Sequence, residues 1–572
     1  MDTLSDNALQ ILEDRYLLKD SVGNLIETPQ HLFKRVAKVI ASCEKADKVH
    51  WEQHFYSLLS KFLFLPNSPT LMNAGCENGQ LSACFVLPVE DSLERIFTTL
   101  KNTALIHQSG GGTGFNFSKL RPKGDMVSTT NGMSSGPVSF IKIYDAATEH
   151  IKQGGKRRGA NMGILNVDHP DIEAFVQSKS NKNTLKNFNV SVGISDNYMK
   201  AVEKGLDWNL INPRTKHVIK NVSAKSLWQN IVHEAWKTGD PGLIFLDTIN
   251  RTNPTPSLGD IQATNPCGEV PLLDFESCNL GSINLSKMII QKGKHYGMDW
   301  EKLSNTIHIA IRFLDNIITV NYYLLRETET IAKSNRKIGL GVMGWAELLI
   351  LLEIPYASEK GLKLAEKLMK FIKEESYKAS EKLAKEHGAF PEFKGSIHAH
   401  KIPMRNATCN SIAPTGTISV IADTSYSIEP LFALAYRRVG ILGNQTQTEI
   451  NKSFLKKMKQ LDLWNTELEN IVLETGSIQT AKCVPEFIKN LFQTSLEIPW
   501  QYHLLHQKAF QRFTDNAVSK TINLPENTSV ETISEIYTTA WEYKLKGITI
   551  YRYGSKDRQV LQKCSLNTNK YC

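Results

Sequence analysis

Hydrophobic positions along this chain follow two spacings, one typical of helices and one typical of strands. In the N-terminal region apolar residues recur every three or four positions, which predicts helices over 7–18, 28–42 and 48–64. Beyond it, short apolar or alternating runs predict strands between further helical stripes. The predicted strands are 83–87, 115–117, 162–167, 188–194, 243–245, 282–285 and 546–552; the main predicted helices are 92–108, 226–236, 300–320, 342–352 and 361–386.

This alternation of strands and helices over several hundred residues predicts an α/β fold built on a mostly parallel sheet or barrel. No linker or internal repeat interrupts it. The glycine-rich run 109–114 lies between a predicted helix and a predicted strand, and no Lys-Ser or Lys-Thr follows it. It is therefore not a P-loop, and it indicates that the backbone passes close to a ligand or to another strand.

Composition narrows the class of protein. The nine cysteines among 572 residues form no CxxC pair and no zinc-finger spacing, which predicts a reducing compartment and no protein metal site. The N-terminus has no signal-peptide features, and the most apolar run, 345–354, is too short to span a bilayer. We therefore expect a cytoplasmic protein that binds no membrane. The net charge of +9 is spread along the chain, which favours solvated surface over nucleic-acid binding.

The candidate chemistry centres on Asn265-Pro266-Cys267-Gly268-Glu269. A thiol lies there between an amide and a carboxylate, in a stretch where proline and glycine favour a tight turn. A second thiol, Cys278, follows eleven residues later. Redox or radical chemistry fits this set of groups, whereas the alternative is a buried loop with an inert cysteine.

Three other stretches also allow two interpretations. Small hydroxyl residues and glycine in 410–419 fit a helix N-terminus that binds an anion, or an ordinary capping turn. The basic glycine loop 153–159 fits a phosphate contact or a solvated surface loop. Cys564 and Cys572 lie in a polar C-terminal tail, where a mobile thiol pair explains them better than packing does.

Taken together, these stretches resemble the catalytic chain of ribonucleotide reductases, and more closely the adenosylcobalamin-dependent class II enzymes of the dimeric type. A third thiol, Cys84 in Ser-Ala-Cys-Phe, completes a specific set with Cys267 and Cys278. The matching stretches follow the order of the family: 67–75, 81–87, 109–122, 153–170, 265–285, 410–419, 515–525 and 546–561.

The resemblance implies a ten-stranded α/β barrel made of two parallel five-stranded halves, with the Cys267 loop as a finger enclosed inside it. Enclosure would protect a thiyl radical from solvent and oxygen. On this basis we expect a helical N-terminal region over 1–65, the catalytic barrel over 66–555 and a flexible tail over 556–572.

The resemblance also implies a role for each core residue. Cys267 would become a thiyl radical that removes the ribose 3′ hydrogen, Glu269 would act as the general base, and Asn265 would bind the ribose. Cys84 and Cys278 would supply the proton and two electrons that remove the 2′-hydroxyl as water, and would end as a disulfide. Cys564 and Cys572 would carry electrons to that disulfide from thioredoxin or glutaredoxin.

Binding residues follow from the same resemblance. The substrate nucleotide would contact Ser68, Ala83, Gly112, Pro414, Thr415, Gly416, Thr417 and Ile418. A deoxynucleotide or ATP effector at a homodimer interface would contact Asp91 and Arg121, and the specificity loop would contain Lys156, Arg157 and Arg158.

Two departures from relatives distinguish the possible classes. The four-helix ATP cone that opens many relatives is not found, so we expect no overall-activity switch by dATP. Class I large subunits have adjacent tyrosines near the last strand, whereas Arg552 here separates Tyr551 from Tyr553. A radical generated locally by adenosylcobalamin, with ribonucleoside diphosphates as substrates, is the expectation. The alternatives are a class I-like large subunit that needs a metal-containing small subunit, and a catalytically silent nucleotide sensor.

Overall fold

The computed structural model describes residues 4–127, 131–153, 157–181, 184–293, 295–439 and 446–555. The predicted helical N-terminal region is confirmed, because helices Asp6–Arg15, Pro29–Ala41 and Lys48–Ser60 follow the apolar stripes. Their apolar faces share one large core with the long helices Trp300–Val320 and Glu359–His387. The N-terminal helices are thus packed onto one side of the main sheet.

Ten strands form the main sheet, and we number them in chain order. They are β1 (Phe64–Pro66), β2 (Cys84–Val86), β3 (Gly112–Asn116), β4 (Asn161–Asn166), β5 (Phe188–Ile194), β6 (Gly242–Phe245), β7 (Ser277–Asn284), β8 (Ile338–Met343), β9 (Thr521–Leu524) and β10 (Gly547–Arg552).

The strands form a ring of two parallel halves. In the first half β2, β3, β4, β5 and β6 are neighbours in that order and all parallel. In the second half β10 is parallel to β9, and β7 is parallel to β8. The halves meet in antiparallel pairs at both ends, through β6 with β10 and β7 with β2.

The second half closes through a short segment, 410–412. Asn410 bridges Leu340 of β8, and Ile412 bridges Val518, three residues before β9; both bridges are parallel. Counting this segment, each half has five parallel strands, so the predicted ten-stranded barrel is confirmed. Strand β1 adds an antiparallel neighbour to β7 outside this ring.

Helices join the strands of the ring: Ser68–Asn73, Leu93–Gln108, Pro137–His150, Ile172–Val176, Asp196–Lys204, Ala224–Thr238, Leu246–Arg251, Arg326–Asn335, Trp345–Leu351, Gly416–Ile421, Lys452–Gln460, Thr466–Thr475, Glu486–Leu491, Trp500–Gln511 and Val530–Glu542, besides the two long helices above. Short hairpins pair Asp207–Ile211 with Val218–Ser223, Ala263–Thr264 with Pro271–Leu272, Ile289–Lys292 with His295–Met298, and Ala435–Val439 with Thr446–Ile450. No helix among the described residues has the length and apolar character needed to cross a bilayer.

Two predicted elements were wrong in kind or extent. The predicted helix 342–352 is strand β8 followed by helix Trp345–Leu351, with Gly344 (φ 79°) between them. A buried parallel strand and a buried helix are both continuously apolar, so hydrophobicity alone does not separate them. The predicted strand 282–285 begins earlier, as β7, and contains Cys278.

The glycine run has a packing reason. Strand β3 begins at Gly112, inside the run, rather than at residue 115. A Cβ atom on Gly112 would lie 2.9 Å from Cγ of Pro266, and one on Gly114 would collide with the carbonyl oxygen of Thr264. Of the two interpretations of this run, the structure shows close approach of another backbone segment, and that segment is the Cys267 loop.

We expect Gly114→Ala to lower the free energy of unfolding by about 3 kcal/mol or more, because backbone cannot yield to the added methyl group as a side chain can. Gly416→Ala is the control, since a Cβ there meets nothing within 4 Å. Chemical denaturation of both variants checks this; equal stabilities would contradict the close approach.

Candidate active site

The Cys267 loop, residues 265–270, joins two short strands, Ala263–Thr264 and Pro271–Leu272, that pair as a hairpin. Gly268 adopts φ 81°, a conformation that glycine reaches without strain, and its N–H donates to the Asn265 carbonyl at 3.1 Å. The Asn265 side-chain oxygen accepts from the Val270 N–H at 3.0 Å. Local hydrogen bonds therefore set the turn that the sequence predicted.

The loop lies inside the ring, held by several barrel segments. Ala517 donates its N–H to the Glu269 carbonyl at 2.9 Å, and the Ser411 hydroxyl donates to the same oxygen at 2.8 Å. From the first half of the barrel, the Asn189 amide donates to the Pro266 carbonyl at 2.8 Å. These bonds fix the loop relative to both halves.

Two thiols lie beside the loop. Cys84 and Cys278 are directly opposite each other in the antiparallel pair β2–β7, and both are buried. Opposed residues in such a pair have Cα atoms roughly 4.5–5.5 Å apart, within the range that a disulfide needs. The Asn265 amide nitrogen lies 3.1 Å from the Cys84 sulfur, which links this pair to the loop.

Burial sets the protonation of these groups. It raises the pKa of Cys84 well above its ordinary value, and the nearby Glu269 carboxylate raises it further. Burial also raises the pKa of Cys278. Both residues are therefore held as S–H groups at neutral pH, the form that donates hydrogen.

Glu269 differs from these thiols in titrating near neutrality. Burial raises its pKa to about 7, while a hydrogen bond with the Asn265 side chain partly opposes that rise. Its Oε2 atom is buried and has no hydrogen-bond partner among the described residues. A carboxylate with one unsatisfied oxygen and a pKa near 7 is suited to accept a proton.

Cys267 is the exposed member of the set. It lies on the wall of a cavity of about 480 Å³ inside the barrel, which Asn189, Gln507 and Tyr551 also line. The expected position of the loop as a finger inside the barrel is confirmed: its tip, with Cys267, projects into this cavity, while Asn265 and Glu269 behind it are buried.

Several predicted substrate residues fall into two groups, one at this cavity and one beside the thiol pair. Pro414 is exposed on its wall with Cys267, and the exposed Gly416 begins helix Gly416–Ile421 close by. Ala83 and Gly112 adjoin the thiol pair, since the Gly112 N–H donates to the Ala83 carbonyl at 2.8 Å. Gly112 also lies against Pro266, the residue before Cys267.

Some predicted substrate hydroxyls are engaged within the protein. The Thr415 hydroxyl lies 2.7 Å from that of Ser419 and accepts from the Ser427 N–H. The Ser68 hydroxyl lies 2.7 Å from the Tyr16 hydroxyl. Backbone N–H groups at 416–418 are thus better placed than the Thr415 hydroxyl to meet an anion.

Comparisons with known proteins decide the family. A family model described as "Ribonucleotide reductase, barrel domain" matches residues 82–551, and one described as "Ribonucleotide reductase, all-alpha domain" matches residues 2–79. This chain belongs to the ribonucleotide reductase family.

Individual relatives agree. A protein of Thermoplasma acidophilum named vitamin B12-dependent ribonucleoside-diphosphate reductase is 48% identical, covering 99% of this chain and 81% of that protein. One of the same name from Mycobacterium tuberculosis is 46% identical over 98% of this chain and 81% of its own length. The predicted resemblance to the vitamin B12-dependent reductases is therefore confirmed.

A solved structure supports the fold. The class Id ribonucleotide reductase alpha subunit of Actinobacillus ureae superposes with a TM-score of 0.80 over 96% of this chain and 97% of that one. At 24% identity the likeness bears on the barrel architecture alone.

The effector residues predicted from the reductase family are only partly described. Asp91 and Arg121 lie together as an ion pair at 2.9 Å, beside the start of helix Leu93–Gln108. Arg157–Arg158 pairs with Lys152–Gln153 in a short hairpin. Lys156, Cys564 and Cys572 lie outside the described residues.

Sequence analysis missed a buried ionic group in the reductase barrel. Lys520 is fully buried, its ammonium lies 2.5 Å from the Glu429 carboxylate and 3.1 Å from His503, and Lys520 and Glu429 line the Cys267 cavity. The signal available was weak: a single lysine between the apolar pairs Ala517-Val518 and Ile522, Leu524. Buried charges are rare unless paired, so such a lysine merits attention.

Proposed function

We propose that this chain reduces ribonucleoside diphosphates to 2′-deoxyribonucleotides by thiyl-radical chemistry that depends on adenosylcobalamin. The observation that carries the proposal is that Cys84, Cys278, Asn265 and Glu269 cluster around Cys267, the residue of the set that lines the cavity. The names of the relatives at 46–48% identity support the substrate class and the cofactor.

The residues divide the reaction between them. A Cys267 thiyl radical removes the 3′ hydrogen, and Glu269 takes the proton of the 3′-hydroxyl. The 2′-hydroxyl leaves as water with a proton from the Cys84–Cys278 pair. That pair gives up two hydrogens in all, one to the leaving water and one to C2′, and becomes a disulfide. Glu269 returns its proton to the 3′ oxygen, and Cys267 returns the abstracted hydrogen to C3′ and is again a thiyl radical. The sum is one ribonucleotide and two thiols giving one deoxyribonucleotide, one disulfide and water.

The site fits the cofactor. Adenosylcobalamin, when bound, supplies the radical that oxidises the Cys267 thiol. Cobalt is held by the corrin ring, so the protein needs no metal cluster, and the described residues contain no group of His, Cys, Asp and Glu that could hold a metal ion. Cys267 is exposed at the cavity wall, and Pro414, Phe432 and Tyr551 on the same wall offer surface to a bulky ring.

The last strand favours a local radical source. Arg552 lies over the Trp236 ring at 4.3 Å and donates to the Trp236 carbonyl, whereas its neighbour Tyr551 lines the Cys267 cavity. Residues next to each other in a strand point to opposite faces. The arrangement that an adjacent tyrosine pair would give is therefore absent at 551–552.

A homodimer that binds effectors belongs to the same proposal. Helices Leu93–Gln108 and Pro137–His150 expose Leu93, Phe97 and Ile143, which suits a face covered by a second copy. The Asp91–Arg121 pair lies at the beginning of this face, where an effector nucleotide at the interface would meet it.

We expect a single turnover without reductant to convert Cys84 and Cys278 into a disulfide, because both are held as thiols directly opposite each other. Mass spectrometry of alkylated peptides after mixing enzyme, cofactor and substrate measures this. Cys409, buried elsewhere, serves as the control thiol. A reduced pair after product formation would contradict the assignment.

We expect the double variant Cys564→Ser, Cys572→Ser to keep activity with a small dithiol and to lose it with thioredoxin. A small dithiol reaches the cavity directly, whereas a protein reductant needs a shuttle. Initial rates with each reductant give the answer. Equal losses with both would exclude the shuttle.

The decisive experiment is anaerobic reduction of CDP or ADP by the purified chain with excess dithiol, with and without adenosylcobalamin. Turnover only with the cofactor is the expected result. No turnover in either case, with rescue by a metal-containing small subunit, would instead establish the class I-like alternative.

A further inference from the structure

A second large cavity lies at the other end of the barrel, and we call it the floor cavity. Its volume is about 680 Å³, within the range of small-molecule sites, roughly 300–1,000 Å³. Its wall includes Lys546 and Asp515. Lys546 directly precedes β10, and Asp515 precedes the segment that leads to β9. The Cys267 cavity is lined by β10 from Gly547 to Tyr551 and shares no lining residue with the floor cavity, so the two cavities are neighbours but distinct.

The floor cavity is strongly basic. Lys373 and Lys546 lie in its interior wall, and the exposed Arg251, Lys401, Lys508, Arg512 and Lys544 surround them. Only two carboxylates, Glu366 and Asp515, share the lining. Seven basic side chains from five segments of the chain therefore face one volume with little acidic compensation.

Some of these basic side chains have no carboxylate partner in the part of the chain that the structure describes. Arg251, Lys373 and Arg512 each have a carboxylate partner, in Asp196, Asp515 and Glu366 respectively. Within the described ranges no carboxylate lies at ion-pair distance from the other four, which are Lys401, Lys508, Lys544 and Lys546. Burial lowers the pKa of Lys546 to about 7, so the standing excess is the three exposed lysines, which raise the local concentration of anions.

Buried polar groups line the same volume. The Lys546 ammonium is buried and donates to the Asp515 carbonyl at 2.6 Å and to the Asn516 carbonyl. His398 is also buried; its Nε2 lies 3.1 Å from the Ala407 carbonyl, while Nδ1 has no partner among the described residues. Because Nε2 donates to a carbonyl, Nδ1 of the neutral His398 ring is an acceptor, and the buried group in this wall that favours an anion is the Lys546 amine, whose protonated form an anion would stabilise.

We propose that the floor cavity binds a small polyphosphate anion, either the phosphate chain of a nucleotide or an inorganic polyphosphate. Several lysines around one volume match a ligand with several closely spaced negative oxygens, and ammonium groups are established phosphate ligands. A single carboxylate would leave most of this charge unmatched.

The site also adjoins the catalytic loop. Lys546 holds the carbonyls of Asp515 and Asn516, and the next residue, Ala517, donates to the Glu269 carbonyl. A polyphosphate in the floor cavity would therefore lie next to segment 515–517, which is hydrogen-bonded to the Cys267 loop.

The test is isothermal titration of the full-length chain with tripolyphosphate and, separately, with ATP, in the absence of cobalamin. The floor variant is Lys401→Ala with Lys544→Ala; both side chains are exposed, so the fold should be kept. The control is Lys34→Ala with Lys38→Ala, which removes the same charge from exposed positions of helix Pro29–Ala41.

We expect the floor variant, but not the control, to bind tripolyphosphate about tenfold more weakly, and wild-type affinity to fall as salt is raised. A floor-dependent loss with both probes assigns recognition to phosphate alone; a loss with ATP alone assigns it to the nucleotide. Equal binding of both probes by wild type and floor variant overturns the proposal. Reductase activity is not the readout, so this result is independent of the proposed function.

Discussion

The Cys267→Ala variant is expected to lose ribonucleotide reduction by at least about a thousandfold, equivalent to raising the barrier by about 4 kcal/mol. The thiol is the only sulfur of the three that is exposed to the cavity, and no neighbouring atom can take its place in removing the 3′ hydrogen. Product formation in the anaerobic assay, followed by chromatography of the nucleotides, measures the loss.

Structure should survive this change. Cys267 is an exposed tip residue, so removing its sulfur leaves no buried cavity, and the free energy of unfolding should stay within about 0.5 kcal/mol of wild type. Nucleotide binding should also persist. Cys483→Ala, at another exposed cysteine outside this cavity, is the matched control and should retain full activity. Turnover by Cys267→Ala would refute the central role given to this thiol.

The local spacing of apolar residues was sufficient to predict many of the helices and strands. Strand β5 and helix Trp300–Val320 have the bounds predicted from apolar periodicity, because each keeps one clear period throughout. Strand β8 was merged with the following helix, because both are buried on all sides and share a continuous apolar run. Strand β5 is also almost fully buried, so what made it predictable is the alternation of apolar and polar residues in its sequence, which the continuous apolar run of β8 and its helix lacks.

The site could be predicted only where its residues are close in sequence or resemble a known family. Asn265, Cys267 and Glu269 lie in one loop, so the sequence alone predicts that an amide, a thiol and a carboxylate are close together. The pairing of Cys84 with Cys278 was implied by resemblance alone, and the register of β2 and β7 now places them opposite each other. The Lys520–Glu429 ion pair and the floor cavity are each formed by segments that are distant in sequence, so no local sequence pattern predicts them.

The Glu269→Gln variant is expected to lower kcat by about 10²–10⁴-fold, the usual range for losing a general base. In wild type the base must be ionised, and burial raises its pKa to about 7. The rate limited by this step should therefore rise with pH through about 7 and then level off. The variant should lack this rise, and Glu535→Gln, at an exposed helix position, should behave as wild type.

The same carboxylate should lower stability at high pH. Its pKa is about 7 in the folded state against an ordinary value of 4.5, so between these values the folded state binds more protons than the unfolded state. The free energy of unfolding contributed by Glu269 is therefore greatest below about pH 4.5 and is lost as pH rises through about 7. Glutamine does not titrate, so the variant lacks this loss.

Denaturation of wild type and Glu269→Gln across this window separates catalysis from packing. The unpaired amide of glutamine adds a cost that does not change with pH, whereas the difference in stability should shift in favour of the variant by on the order of 2–3 kcal/mol between pH ~5 and ~8. A variant that is inactive yet gains relative stability with pH would show that Glu269 is retained for chemistry at the expense of stability. A difference that stays constant with pH would mean that Glu269 is not a buried base titrating near neutrality.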